Sequence, residues 1–249
     1  MSDLLNLMAK LRKDTESQSA AQQRTAFDPK VPRQGEAGLG ALALRDLPAT
    51  LDQRQACRFF TDRPVESELI QRMIDAGYAA DAALWPNERA ARPLELLVVG
   101  RAVTGLRPGV HRYGPDGFES LADISEPEEL GGLVLQEEFA LAPAVLLAIG
   151  SLEDALESAG SHGYRRLLER SGATCEAAWL TAVDDGLSGS IFAGFLPSAL
   201  KRLVGIDGFR RTQLLALAVG HVSSTWPTST ASDRPAAGLP MSLRSEERR

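Results

Sequence analysis

The chain has 249 residues, a formal net charge of −6 and a sequence pI near 5.2. That acidic balance excludes a general nucleic-acid binder, which carries a basic stripe, while 44% hydrophobic content suffices for one large domain or two small ones. Cys57 and Cys175 stand at unrelated positions, which gives neither a zinc spacing nor a disulfide framework and points to free thiols in a reducing compartment.

From the N-terminus, residues 2–13 (SDLLNLMAKLRK) read as a short amphipathic helix, with Ser2 or Asp3 as cap and Lys10, Arg12 and Lys13 suiting its C-terminal dipole. The stretch that follows is polar and poor in aliphatics and cannot order itself alone. Residues 1–48 are therefore expected to be a flexible extension, 49–225 the folded body, and 226–249 a flexible or subunit-crossing tail. No apolar run has the length of a signal peptide or a membrane span, so a cytoplasmic protein without membrane contact is expected.

RQACRFF (54–60) opens the body. Read as helix, it places Arg54 and Arg58 on one side, which suits either a solvated helix edge or bidentate contacts to a phosphate. VESELIQRMIDAGYAA (65–80) carries Val65, Leu69, Met73 and Ile74 on one helical face. PNERAARP (86–93) reads as a loop that feeds LELLVVG (94–100). That run and AVLLAIG (144–150) are continuously apolar, as expected of strands buried on both faces. VHRY (110–113) and FESL (118–121), joined by Gly114-Pro115-Asp116-Gly117, form a predicted hairpin. A helix from about Gly163 to Asp185, a short strand at 188–195, a helix at 197–205 and a last buried strand at 213–220 complete the body. Strands mixed with helices and a hairpin indicate an α+β sheet rather than a βαβ repeat.

The remaining candidates are single residues. His111 is expected on the solvent side of its strand, and His221 is expected to bond a neighbouring loop. Cys57 and Cys175 are expected to be buried and inert. Three scattered histidines make no metal site.

Five motifs in order resemble one family. RQACRFF is similar to the basic Arg-x-Ser-x-Arg/Lys-x-Phe opening of the flavin-dependent nitroreductase superfamily, with Ala56 at the Ser position. PNERAARPLE is similar to the Pro-Ser-Ala-Gly-Ala-x-x-Pro-Leu-Glu loop of that superfamily's azoline-oxidase branch, which makes thiazoles and oxazoles in peptides. It keeps Pro86, Ala90, Pro93, Leu94 and Glu95, with Asn87 for Ser and Arg89 for Gly. GLRPGVHRYGPDG, WLTAVDDGLSGSIFAGF and AVGH follow in the branch's order, so the likeness spans about residues 50–222.

The resemblance implies a nitroreductase-like α+β fold, a homodimer with FMN at its interface, and oxidation of azoline rings in a peptide, with possible cyclodehydratase-type partners. It assigns the FMN phosphate to Arg54 and Arg58, the ribityl chain and ring to the segment with Asn87, Arg89 and Ala90, and close approach to Gly189–Gly194. Arg234 falls near a further phosphate-binding base of relatives, although as a tail residue it is more often a solvated charge. The branch's Lys-Tyr pair, assigned to proton removal, falls on Ser158-Ala159, which leaves His162 and Tyr164 as nearby candidates. Two other functions stay open: an FMN dehydrogenase of another substrate, and a non-catalytic subunit of a peptide-modifying complex.

Overall fold

A computed structural model describes residues 44–124 and 131–223 of the chain. The predicted N-terminal helix, Arg234 and the tail lie outside the described residues.

Six strands form the central sheet: β2 (Glu95–Gly100), β4 (Gly109–Gly114), β5 (Gly117–Asp123), β6 (Ala144–Gly150), β7 (Ser188–Phe192) and β8 (Thr212–Gly220), while β1 (Val65–Glu66) and β3 (Val103–Thr104) form a separate two-residue pair. The order across the sheet is β5-β4-β2-β6-β8-β7, and every neighbouring pair is antiparallel. The predicted α+β class is therefore the observed one, and the hairpin is β4–β5. Its turn closes at Gly114 and Gly117, where Gly117 sits at φ +98°, a conformation that only glycine adopts at little cost.

The helices explain why β6, and β2 beyond Glu95, are apolar. Alternate side chains leave a strand on opposite faces. On one face Leu96, Val98, Leu146 and Ala148 meet Ile70, Met73 and Ile74 of α2 (Ser67–Leu84) and Ala178 and Trp179 of α4 (Leu152–Asp184). On the other face Leu97, Val99, Val145 and Leu147 meet Phe139 of a 3-10 turn (Glu137–Leu141) and Leu200 of α5 (Pro197–Val204). Two more helices, α1 (Leu47–Gln53) and α3 (Pro86–Ala91), lie outside this core. Each fully buried aliphatic side chain contributes about 1.5–3 kcal/mol, so this double layer is the main source of stability.

α2 and α4 run against each other. A Cβ on Gly77 would stand 3.0 Å from the Thr174 carbonyl oxygen, so glycine permits this close approach. α4 begins about eleven residues before the predicted start, capped by Ser151, whose hydroxyl accepts from the Asp154 amide at 3.1 Å. It breaks at Ala159 (φ −148°) and Gly160 (φ +54°), then resumes. The apolar periodicity of the second piece was legible, whereas the first piece is polar and announces itself only by its cap. Among the described residues no helix is long and apolar enough to cross a membrane.

Two expectations for single residues are corrected. His111 is 3% exposed, not solvent-facing, and its Nε2–H donates to the Arg107 carbonyl at 2.8 Å. β4 is covered on that side, and a carbonyl within reach satisfies the ring nitrogen that burial would otherwise strand. Cys57 is half-buried rather than buried, while Cys175 lies in the core as expected.

Candidate flavin-binding site

The 54–60 segment is not helical. α1 ends at Gln53, and Arg54 already has extended backbone. Ala56 forms a parallel bridge to Gly189 of β7, and the Cys57 amide donates to the Gly189 carbonyl at 2.8 Å. Phe60 bridges Val222, the Thr61 amide donates to the His221 carbonyl at 2.8 Å, and the Ser223 amide donates to the Phe59 carbonyl at 3.0 Å. The reason for the correction is the free edge of β7, which offers the segment backbone partners that a helix would not use.

The two arginines leave this seam towards different neighbours. The Arg54 guanidinium lies 4.6 Å above the Trp179 ring, with Nε 3.3 Å from Glu176 Oε1, both on α4. Arg58 Nη1 stands 3.5 Å from Glu138 Oε1 in the 3-10 turn. Their side chains keep 35% and 55% exposure. Both ion pairs are long for charge-assisted bonds. A phosphate, with three strong acceptor oxygens, can therefore compete for either arginine without breaking a buried pair.

Gly189 lies under Ala56. A Cβ there would come within 2.7 Å of the Ala218 carbonyl oxygen and 3.1 Å of Trp179 Nε1, so the seam requires glycine. The Trp179 indole N–H is buried and has no hydrogen-bond partner among the described residues. Gly194 follows β7 and lies 3.4 Å, measured from its notional Cβ, from Leu135.

Residues 86–91 of the predicted 86–93 loop form a short helix, α3, with Pro86 at its first turn, where the missing N–H costs nothing. None of its residues is buried. Asn87 and Ala90 are exposed. Arg89 turns inwards, its guanidinium 4.6 Å from the Tyr78 ring and 3.6 Å from the buried Asp81 carboxylate. Asp81 is held by Arg170 through two bonds, Nε to Oδ1 at 2.7 Å and Nη2 to Oδ2 at 2.8 Å. Arg170 Nη1 also donates to the Arg92 carbonyl at 3.0 Å. At the surface Arg166 donates to Glu88. Partial burial opposes ionisation of Glu88, but hydrogen bonds from its own amide and from Arg166 hold its carboxyl below the usual range. Burial pushes the Tyr78 phenol up, and its oxygen accepts from the Leu96 amide at 2.9 Å.

A cavity of about 120 Å³ opens where α4 breaks, lined by Ser158, Ala159 and Gly163 on one side and Ala91, Arg92 and Pro93 on the other. His162 and Tyr164 sit just past the break but are exposed on α4 and do not line it. Along α4, Glu176 and Trp179 carry the Arg54 end, whereas Arg166 and Arg170 carry the α3 end. Arg170 and Glu176 are roughly 9 Å apart at 1.5 Å per residue. The chain thus offers the half-exposed Arg54 guanidinium beside α4, the exposed Arg58 guanidinium beside the 3-10 turn, and an exposed small-residue surface on α3.

Asp81, Arg170, Tyr78 and Trp179 were not singled out in the sequence. One signal did exist: Asp81 extends the stripe Ile70, Ile74, Gly77 of α2, and Arg170 lies on the stripe of Leu167 and Thr174 of α4. An ionisable residue at an apolar-stripe position is expected to be paired in the interior.

A "Putative nitroreductase" of Methanocaldococcus jannaschii is 25% identical over 178 residues, which cover 69% of this chain and 88% of that protein. Among solved structures, a "putative nitroreductase" of Anabaena variabilis aligns with a TM-score of 0.60 at 20% identity over 72% of this chain. The alignment takes in 38% of that longer chain, so this protein spans less than half of its length. The Escherichia coli microcin synthetase McbBCD complex with truncated pro-MccB17 bound aligns with a TM-score of 0.58 at 18% identity, over 81% of this chain and 77% of the other. At such identities the structural likeness establishes the fold. The Nitroreductase family, whose members are generally FMN-dependent oxidoreductases, matches residues 51–221, and the chain belongs to it.

Proposed function

We propose that this protein is an FMN-dependent oxidoreductase that dehydrogenates azoline rings to azoles in a ribosomal peptide. The observation that carries the cofactor reading is the seam at Ala56 and Gly189, which presents Arg54 and Arg58 with exposed guanidiniums beside a glycine-lined strand end. The substrate class rests on the order of the five motifs along residues 50–222, and the likeness to the microcin synthetase complex agrees with it.

In this reading Arg54 and Arg58 neutralise the phosphate. The exposed face of α3, with Asn87 and Ala90, lies along the ribityl chain and ring, with Ala56, Gly189 and Gly194 allowing close backbone approach. Arg89 supports that face from beneath, since it is turned onto Tyr78. Bound FMN would supply the two-electron acceptor, with oxygen as the final oxidant. The chain must supply a base, because dehydrogenation removes a proton as well as a hydride. His162 and Tyr164 take that role. Both are exposed on α4, so the substrate or a second copy of the chain has to cover them. A homodimer with the flavin at its interface would do so.

Purified protein should show the visible absorption of bound flavin, and Arg58→Ala should lose most of it. Unchanged FMN content in that variant would remove Arg58 from the phosphate site. If His162→Ala and Tyr164→Phe both retain full rate on an azoline peptide, the base lies elsewhere.

A second reading has its own support. Ser158 and Ala159, at the helix break, carry no base, and both arginines are already paired with carboxylates. These features favour a non-catalytic subunit of a peptide-modifying complex. Protein that is colourless and takes up no added FMN would decide for it.

A further inference from the structure

We infer that Arg170, Asp81 and Arg166 form a charged frame that positions α3, making them positioning residues for the ligand surface that α3 presents. The inference rests on the flavin reading above for the identity of that ligand.

The starting observation is that α3 has no buried residue. A six-residue helix is too short to be stable by itself, and without an apolar face it gains nothing from the core. Polar contacts are what remains to hold it. Arg170 Nη1 donates to the Arg92 carbonyl at its C-terminal end. Arg166 grips Glu88 in its first turn. At its start the Trp85 amide donates to the Asp81 carbonyl at 2.9 Å. Arg89 reaches Asp81 from the middle.

The centre of this frame lies in the interior. The side chains of Arg170 and Asp81 are 2% and 0% exposed. A buried ion pair is poor stabilisation compared with apolar packing, because desolvation offsets its attraction. What the pair offers instead is geometry. The planar guanidinium uses Nε and Nη2 on Asp81, and its third nitrogen points out of the pair at the Arg92 carbonyl. One rigid group on α4 is thereby fixed to α2 and to the end of α3. Lysine cannot reproduce this, since its single ammonium lacks the fork that serves both partners.

The test uses full-length protein and three variants, with amide hydrogen exchange over 86–93 and FMN binding as readouts. Arg170→Lys retains the buried positive charge but removes the fork. Arg166→Ala is at a half-exposed position and releases Glu88 while leaving the buried Arg170–Asp81 pair intact, so it remains informative if Arg170→Lys folds poorly. Arg166→Lys serves as the conservative rescue. In the flavin-free protein, exchange at 86–93 should speed up about tenfold in Arg170→Lys and severalfold in Arg166→Ala, with the amides of β6 unchanged. The FMN dissociation constant should rise in step, about tenfold and threefold, and the bound-flavin spectrum should move towards that of free flavin. Arg166→Lys should restore most of both.

Unchanged exchange at 86–93 in both destabilising variants overturns the frame, whatever happens to FMN. Faster exchange with unaltered FMN affinity and spectrum overturns its positioning role while leaving the flavin reading intact. If wild-type protein binds no FMN, the flavin reading fails, and the positioning role towards flavin fails with it. The exchange data then report on the frame alone.

Discussion

The two segments assigned to the flavin are held in opposite ways. Residues 54–60 are fixed by their backbone: bridges at Ala56 and Phe60 and amide bonds to Gly189 and His221 sew them to the sheet edge. Their arginines contribute little to that seam, Arg58 being exposed and Arg54 half-exposed. Residues 86–93 are fixed by side chains: Arg166 holds Glu88, and Arg170, seated on Asp81, holds the Arg92 carbonyl. A backbone seam tolerates change in its side chains and so leaves them to a ligand. A charged frame makes the structure itself depend on particular side chains, some of them far from any ligand.

The largest separation between the two should come from removing one charge from each. Asp81→Ala leaves the Arg170 guanidinium buried without its partner and should cost about 3–5 kcal/mol in denaturant unfolding. Arg54→Ala breaks only a half-exposed pair, and its stability should stay within about 1 kcal/mol of wild type. If the two variants are equally stable, the contrast between seam and frame is wrong.

The seam has its own weak point, which is steric. Gly189→Ala drives a Cβ to 2.7 Å from the Ala218 carbonyl oxygen, a backbone atom with no room to move. A loss of about 1–3 kcal/mol is expected, with faster hydrogen exchange at Cys57, whose amide bonds Gly189. Gly114→Ala, where a Cβ would meet nothing within 4 Å, is the matched control and should change little.

The smallest effect compares the two thiols. Cys57 belongs to the seam and is half-buried, whereas Cys175 lies beneath it in α4 and is 1% exposed. Burial, aided by the Glu176 charge, pushes the Cys175 thiol up to about 12 from its ordinary 9.0. The folded state thus keeps a proton that the unfolded chain gives up, so stability should decline as pH rises from about 9 towards 12. At pH 8 a maleimide should label Cys57 in native protein and reach Cys175 only on unfolding. Rapid labelling of both in the native state would contradict the burial of α4.

The sequence alone determined those features that depend on local pattern. The largely apolar runs at 94–100, 144–150 and 213–220, too short for helices, read as strands covered on both faces, and they are β2, β6 and β8. The glycine-bounded turn at 114–117 specified its hairpin, and the apolar stripe after Pro64 specified α2. The motif order pointed to the family. Tertiary structure decided whatever depends on partners distant in the chain. RQACRFF has the spacing of a helix edge, yet the open edge of β7, more than 130 residues later, drew it into an extended seam. PNERAARP reads as loop, yet Arg166 and Arg170, 78 residues from their partners Glu88 and Arg92, fold it into a turn and a half of helix. The physical reason is the same in both cases. Hydrophobic periodicity is written within one segment, whereas a hydrogen bond or ion pair exists only once a second segment has arrived.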